Sequence, residues 1–149
     1  MKPYGAIRID PPEFEIFGPR DAIEIVIPYT EWSLGLTALD RAAVLAARLS
    51  ATVRLIAVHT VPYPMQFGCP ALVHAHLVEQ LIDLASRSPL TVHPQVILAR
   101  SRGEGFRAAM PAESTVLVAA RRRFWKTDED RLAAMLAGEG HKVALIHVE

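Results

Sequence analysis

The sequence has 149 residues, of which 51% are hydrophobic and only 7% aromatic, and its 16 basic and 16 acidic residues give a net charge of zero. This composition predicts one domain with a core of Ala, Val, Leu and Ile. The charge balance argues against a nucleic-acid partner, and no apolar run approaches the roughly 18 residues of a membrane span. A single cysteine excludes an internal disulfide and fits a cytoplasmic protein.

Residues 1–21 differ in composition from the rest, and we expect them to form an N-terminal arm ahead of one domain over residues 22–149. Four prolines in this segment should break any regular element. Its apolar residues, among them Phe14 and Phe17, leave two interpretations open. The segment is either an arm that packs across the domain or onto a second subunit, or a partly ordered leader.

The stretch from Ile23 to His59 predicts strand, helix and strand. β-branched residues open it, and Pro28, which has no backbone donor, should end the first strand. Thr30 or Ser33 is placed to cap the helix that we expect over residues 33–49. A second β-branched run then leads to His59. This succession is typical of a βαβ unit with two parallel strands.

Further along the chain the same alternation continues. The expected elements are a helix over 71–87, a strand over 91–99, a short helix over 103–110, a strand over 114–120, a helix capped by Thr127, and a strand over 142–148. The alternation predicts a three-layer α/β fold with a doubly wound, five-stranded parallel sheet. Ligands bind such sheets beyond the carboxyl ends of the strands, where the strand order reverses. Residues 28–33 and 119–126 should border that crevice.

Several segments resemble the universal stress protein family. Ile27-Pro28 resembles the family's opening Val-Pro-x-Asp-Gly-Ser, and Ser33 to Ala42 resembles the Ser-x-x-Ala-Leu-x-x-Ala that follows it. Three further segments resemble the second, the fourth and the last strand of the family: Leu55 to Pro62, Val116 to Ala120 and Val143 to Val148. The resemblance covers about residues 22–149. It implies an adenine nucleotide alpha hydrolase-like sheet with strand order 3-2-1-4-5. It also implies a homodimer in which the final strands, Val143 to Val148, pair with each other.

Family members that bind ATP carry an Asp at the end of the first strand and a Gly-x-x-Gly segment, followed nine residues later by Gly-Ser or Gly-Thr. The corresponding positions here are Thr30 for the Asp and Ala119 and Arg122 for the two glycines. With a deletion of two residues allowed, the last pair falls near Asp130 and Arg131. Glycine lets backbone N–H groups approach a phosphate closely, and side chains obstruct that approach. The resemblance therefore implies a degenerate member that binds no ATP and needs no cofactor.

The basic loop, residues 121–126, is the densest positive cluster and carries Phe124 and Trp125 between its cations. Arginine forks bind phosphate and aromatic faces stack on bases, so an anionic ligand is one interpretation. The other is a solvated loop whose charges pair with Asp128, Glu129 and Asp130. If a ligand occupies the crevice, we expect it beside four residues of the degenerate nucleotide site. These are Thr30, Ala119, Arg122 and Arg123.

Trp32 falls where the family has its Gly-Ser turn, and we expect it to fill the space of an adenine. His74 and His76 would point about 200° apart on a helix and cannot share a metal. His93 and His141 are expected in turns. Because no Ser-His-Asp order, paired-carboxylate motif or Walker loop is present, we expect no catalytic residue, no metal site and no enzymatic activity.

Two functions stay open. The first is a non-enzymatic, dimeric, cytoplasmic domain that has lost ATP binding and serves a stress response through a protein partner. The alternative is a binding module for an anionic or nucleotide-like small molecule in the crevice between residues 30–33 and 119–126. An adenine nucleotide hydrolase is disfavoured, because no residue is placed to hold a metal and a triphosphate.

Overall fold

A computed structural model describes residues 7–9, 23–46, 50–61 and 71–149. The strands are β1 (Ile7–Ile9), β2 (Ile23–Tyr29), β3 (Ala51–Thr60), β4 (Thr91–Ala99), β5 (Thr115–Arg121) and β6 (Lys142–Val148). The helices are α1 (Trp32–Leu45), α2 (Ala71–Arg87), α3 (Arg102–Ala109) and α4 (Asp128–Gly138). The remainder of the predicted arm and the single cysteine of the chain, Cys69, lie outside the described residues.

The sheet has the order β1-β4-β3-β2-β5-β6, and the five strands from β4 to β6 are parallel. Counted without β1, this is the predicted order 3-2-1-4-5, so the predicted fold class is confirmed. β1 is an addition, because it pairs antiparallel with β4 through Ile7 opposite Leu98 and Ile9 opposite Val96. The expectation that residues 1–21 contain no regular element is wrong at these three residues, which fall between two prolines and meet the open edge of β4.

Two apolar layers flank the sheet, because side chains alternate between its faces. Ile27 and Leu55 point to one face and pack with Leu39 of α1 and Leu84 of α2. Val26 and Ile56 point to the other face and pack with residues of α3 and α4, among them Phe106, Leu132 and Leu136. Strands covered on both faces need no polar alternation, which explains the continuous apolar runs of β2 and β5.

Pro28 was predicted to end the first strand, but it lies inside β2. The backbone explains this position. The Ile23 N–H donates to the Ser50 carbonyl, 3.0 Å away, so odd-numbered residues of β2 direct their backbone groups to β3 and even-numbered ones to β5. β2 pairs with β5 only at Ile25 and Val26. The donor that proline lacks would therefore point where β2 has no partner, and its absence costs no hydrogen bond.

The start and end of α1 differ from prediction. Glu31, and neither Thr30 nor Ser33, occupies the N-cap position, and its side chain makes no capping hydrogen bond. The helix ends at Leu45, earlier than the predicted residue 49. Within the described residues, no helix combines the length and the apolar character that crossing a bilayer requires.

Polar side chains enter the core on the α3 face of the sheet. Arg54, which is 5% exposed, donates through Nη2 to Gln95 Oε1 at 2.5 Å and to the Ala109 carbonyl at 3.2 Å. His93 lies beside Arg54 in β4, so the expectation that it lies in a turn is wrong. Buried guanidinium groups need such partners, because an unpaired charge in the core is costly.

Gly105 is the point of closest approach between α3 and the sheet. A Cβ atom there would lie 2.6 and 2.7 Å from the two γ-carbons of Val58. Because valine is stiff at χ1, we expect Gly105→Ala to destabilise the fold by about 1–3 kcal/mol through overpacking. Thermal denaturation followed by circular dichroism measures this change. Gly138→Ala is the control, since nothing lies within 4 Å of its Cβ position and the change should be neutral or stabilising. Equal melting temperatures for the two variants would contradict the argument.

Candidate functional site

The crevice of this sheet opens where β2 and β5 separate. The two strands pair only at Ile25 with Thr115 and Val26 with Val116, whereas β2 stays paired with β3 as far as Tyr29. Strand order reverses at this point, which is where doubly wound sheets bind ligands. A cavity of about 330 Å³ lies at the mouth of the gap. We call this cavity the crevice; the start of α1, the basic loop and the start of α4 line it.

An ion-pair cluster closes the gap between α1 and β5. Arg121, the last residue of β5, donates through Nη2 to the Glu31 carboxylate and, at 2.7 Å, to the Ser33 hydroxyl. The Ser33 hydroxyl in turn donates to Glu31 Oε1 at 2.8 Å. Each of the three side chains thus contacts the other two, although Arg121 is 88 or more residues from both partners. The guanidinium and the carboxylate neutralise each other at the crevice mouth.

The electrostatics of the crevice keep Glu31 charged. The hydrogen bond from the Ser33 hydroxyl, followed by that from Arg121, lowers the pKa of the Glu31 carboxyl, although partial burial opposes the shift. Burial raises the pKa of the neighbouring Tyr29, and the negative charge of Glu31 adds to that shift. The Tyr29 hydroxyl, which stays protonated, donates to Gln80 Oε1 of α2 at 3.3 Å. An anion entering the crevice therefore meets a fixed carboxylate.

The far side of the crevice is the start of α4, where the predicted Thr127 cap is confirmed. The Thr127 hydroxyl accepts from the Asp130 N–H at 3.2 Å, and the Asp130 carboxylate accepts from the Thr127 N–H at 2.9 Å, which forms a capping box. The second carboxylate oxygen of Asp130 lies 3.0 Å from His147 Nε2 of β6. Asp130 thus connects the start of α4 to the last strand, and it does not line the crevice.

The four residues predicted beside a ligand do not come together. Arg123 lines the crevice with Glu31 and Arg121. Arg122 is exposed, and its backbone N–H is used in a 2.7 Å hydrogen bond to the Val148 carbonyl. Ala119 is buried in the core layer beneath α1 and α2, and the half-buried Thr30 is not part of the crevice wall. Sequence reasoning missed Glu31 as the partner of Arg121; the only signal was a carboxylate and a guanidinium at two strand ends that border the reversal of strand order.

The charges of the basic loop are not neutralised in the expected way. Asp128 pairs with Arg131 at 3.5 Å, and Asp130 is used by the cap and His147. In the described part of the chain, no carboxylate forms an ion pair with Arg122, Arg123 or Lys126. The interpretation that the loop pairs with the start of α4 is therefore wrong, and these three cations face solvent.

Trp32 does not fill the crevice. It is partly buried against the core layer of α1 and α2, and the Arg87 guanidinium lies 5.5 Å from the centre of its ring. The expectation that it takes the place of an adenine is not supported. As for metals, the described ranges hold no group of three or more His, Cys, Asp or Glu side chains suited to bind an ion.

Comparison with known proteins supports the fold more than any function. No protein-family model and no curated protein matches the sequence. Among solved structures, the crystal structure of a universal stress protein in complex with cAMP matches with a TM-score of 0.50 over 86% of this chain and 97% of that one, at 17% identity. The chain therefore has a fold like that of universal stress proteins.

The Asp130 carboxylate should stabilise the folded state at neutral pH, and this contribution to the free energy of unfolding should be lost in acid. Its pKa is lowered, first by the Thr127 backbone N–H and then by His147. The contribution is complete above the unfolded pKa of about 3.9 and disappears as pH falls through the lower folded pKa. Asp130→Asn removes the charge but keeps an oxygen that can accept from the Thr127 N–H. We expect it to cost about 0.3–1 kcal/mol at pH 7, or about 1–4 °C in melting temperature, and much less in strong acid.

Thermal denaturation at a series of pH values tests this. Asp128→Asn is the matched control, because Asp128 lies in the same helical turn but pairs only with Arg131 across solvent. If Asp130→Asn lowers the melting temperature by the same amount at pH 7 and in strong acid, the charge of Asp130 is not what stabilises the fold.

Proposed function

We propose that this chain is a non-enzymatic domain of the universal stress protein type that has lost ATP binding and acts in a stress response through protein association, first with a second copy of itself. The observation that carries the first half of this proposal is the cluster of Arg121, Glu31 and Ser33. In this cluster, the cation that ends β5 and a hydroxyl in the first turn of α1 bind to groups of the protein itself.

The cluster disfavours a triphosphate for an electrostatic reason. Phosphate-binding loops offer unobstructed backbone N–H groups and uncompensated positive charge. Here the charge of Arg121 is compensated by Glu31, and displacing Glu31 would leave a carboxylate close to the phosphates. At the two glycine positions, Arg122 carries a side chain and donates its backbone N–H to Val148, while Ala119 is buried in the core. These positions therefore offer a triphosphate neither the free charge of Arg121 nor unobstructed backbone N–H groups, and the positive charge left at the crevice is that of Arg123 and Lys126.

The two edges of the sheet support the second half of the proposal. β1 covers the β4 edge, but among the described residues no strand covers the outer edge of β6. β6 is apolar apart from Lys142 and His147 and contains no proline or glycine. An uncovered apolar edge invites pairing with another strand. Pairing with the same strand of a second copy is self-complementary, as a two-fold dimer requires.

A second candidate function is the binding of a small anion. The exposed cations Arg122, Arg123 and Lys126 favour it, since no described carboxylate forms an ion pair with them. The universal stress protein of similar fold was crystallised with cAMP, which carries a single phosphate charge. A ligand of that kind needs less backbone access than a triphosphate and would lie between Arg123 and the start of α4.

Calorimetric titration with ATP, AMP and cAMP separates the two candidates. We expect ATP to bind more weakly than about 1 mM, equivalent to a free energy of about −4.1 kcal/mol. Glu31→Gln should bind ATP measurably more tightly, because it removes the carboxylate and releases Arg121. Micromolar ATP binding to the unmodified chain would contradict the first proposal. Micromolar cAMP binding that is lost in Arg123→Ala would favour the second candidate.

Sedimentation velocity over a range of concentrations tests the dimer. The Lys142 N–H donates to Ser114 and the Val148 carbonyl accepts from Arg122, so even-numbered residues of β6 direct their backbone groups to β5 and odd-numbered ones outward. Leu145→Pro therefore removes an outward donor and no bond within the sheet. We expect the unmodified chain to sediment as a dimer and Leu145→Pro as a folded monomer.

Ala144→Pro is the control, because residue 144 directs its donor to β5. Ala144→Pro should lower the melting temperature by several degrees. Leu145→Pro should have the circular dichroism spectrum of the unmodified chain and a much smaller decrease in melting temperature. An unmodified chain that remains a monomer at all concentrations would end the proposal of self-association.

A further inference from the structure

An apolar groove borders the uncovered edge of β6. It measures about 500 Å³, and Ala134 and Ala137 of α4 form its wall while Val143 and Leu145 of β6 form its floor. We call it the edge groove. The basic loop closes one end, where Phe124 is fully exposed and Trp125 is 67% exposed. Adjacent exposed apolar groups of this size mark a surface that meets another molecule.

The edge groove and the edge of β6 form one continuous surface. Val143 and Leu145 direct their side chains towards α4, because they lie opposite Val116 and Val118, which point to that face. His147 does the same, since its ring contacts Asp130 of α4. The same three residues direct their backbone groups outward. A copy that pairs with β6 therefore extends the floor of the groove.

The geometry of a two-fold pair follows from the length of the strand. β6 runs from Lys142 to Val148, so an antiparallel pair centred on Leu145 uses every outward residue: Leu145 faces its own copy, and Val143 faces His147 of the second copy. A two-fold axis perpendicular to the sheet keeps both α4 helices on the same face. The two edge grooves then join over the paired strands into one channel.

We infer that Phe124 of each copy packs into the edge groove of the other copy, against Ala137 and Val143. The inference rests on the proposed dimer. The basic loop follows the carboxyl end of β5, beside the carboxyl end of β6. Antiparallel pairing brings this end of one copy to the amino end of β6 in the other, where Val143 begins the groove and Ala137 lies in the last turn of α4.

Charge supports the same orientation. α4 has no basic residue in its last turn, and its C-cap residue is Glu139. The carboxyl end of a helix carries partial negative charge, which favours cations nearby. Arg123 and Lys126 flank Phe124 and would arrive with it, although Lys142 and the ion pair of Glu139 with Arg107 reduce the attraction. Aromatic residues, phenylalanine among them, and arginine are enriched at the interfaces between proteins.

Disulfide trapping between copies tests the contact. In a Cys69→Ser background, the chain with Phe124→Cys is mixed with the chain that carries Ala137→Cys, and the mixture is mildly oxidised. We expect a crosslinked heterodimer on a non-reducing gel, and neither variant alone should crosslink efficiently. Val44→Cys replaces Ala137→Cys as the control, because Val44 is 72% exposed but lies on α1, on the other face of the sheet. Crosslinking as efficient with Val44→Cys as with Ala137→Cys would overturn the inference.

Sedimentation separates this inference from the proposed dimer. Phe124→Ala should weaken the dimer at least tenfold in Kd. At concentrations below Kd, where the chains are single copies, its melting temperature should equal that of the unmodified chain, since the Phe124 ring is exposed in the single copy. If the unmodified chain is a dimer and Leu145→Pro is a monomer, but Phe124→Ala leaves Kd unchanged, the dimer stands and the exchange of Phe124 is wrong. If the unmodified chain is a monomer, both are wrong.

Discussion

The separation of β2 from β5 after two paired residues is the constraint on which the rest of the site depends. It opens the crevice, because Ile27 to Tyr29 stay with β3 while β5 continues along β6. It permits a proline inside a central strand, since the backbone of Pro28 faces the gap. It also sets the distance that Arg121 spans to reach Glu31 and Ser33, so that one guanidinium links the two halves of the sheet where the paired backbone no longer does.

The ion pair of Arg121 with Glu31 affects the charge at the crevice mouth more than the stability of the fold. An ion pair with both partners more than one-third exposed contributes only about 0.2–1 kcal/mol, because water screens it. The ion pair compensates the charge of Arg121 at the crevice mouth, whereas Arg123 and Lys126, which form no ion pair with a described carboxylate, still line the crevice. A fold of this type is compatible with several functions, and the side chains at the gap decide which of them a given sequence retains. In this chain the side chains at the gap include Glu31, Ser33 and Arg121, which bind one another.

The sequence predicted those features that depend on local pattern. Alternating strands and helices imply a parallel sheet. Thr127 with Asp130 three residues later forms a capping box, which marks the start of a helix whatever the surrounding fold. The ion pair between Glu31 and Arg121, and the buried contact of Arg54 with Gln95, depend on which strand ends become neighbours, which no local period encodes. The prediction that Pro28 ends the first strand is wrong for the same reason. The cost of the missing proline donor depends on whether a strand is paired on the side that the donor would face, and β2 is not paired with β5 at Pro28. The pairing of β1 with β4 is likewise set by a free edge and not by the composition of the segment.

The basic loop connects the two surfaces on which the proposals depend. Arg123, Trp125 and Lys126 line both the crevice and the edge groove, so the loop is a shared wall between them. A copy that paired with β6 and covered the groove would fix these side chains, and with them the shape and charge of the crevice mouth. A ligand held by Arg123 would, in turn, compete for a cation that faces the carboxyl end of α4 in the second copy. In the proposed dimer, association and ligand binding would therefore be coupled, because one loop of six residues, 121–126, supplies groups to both surfaces.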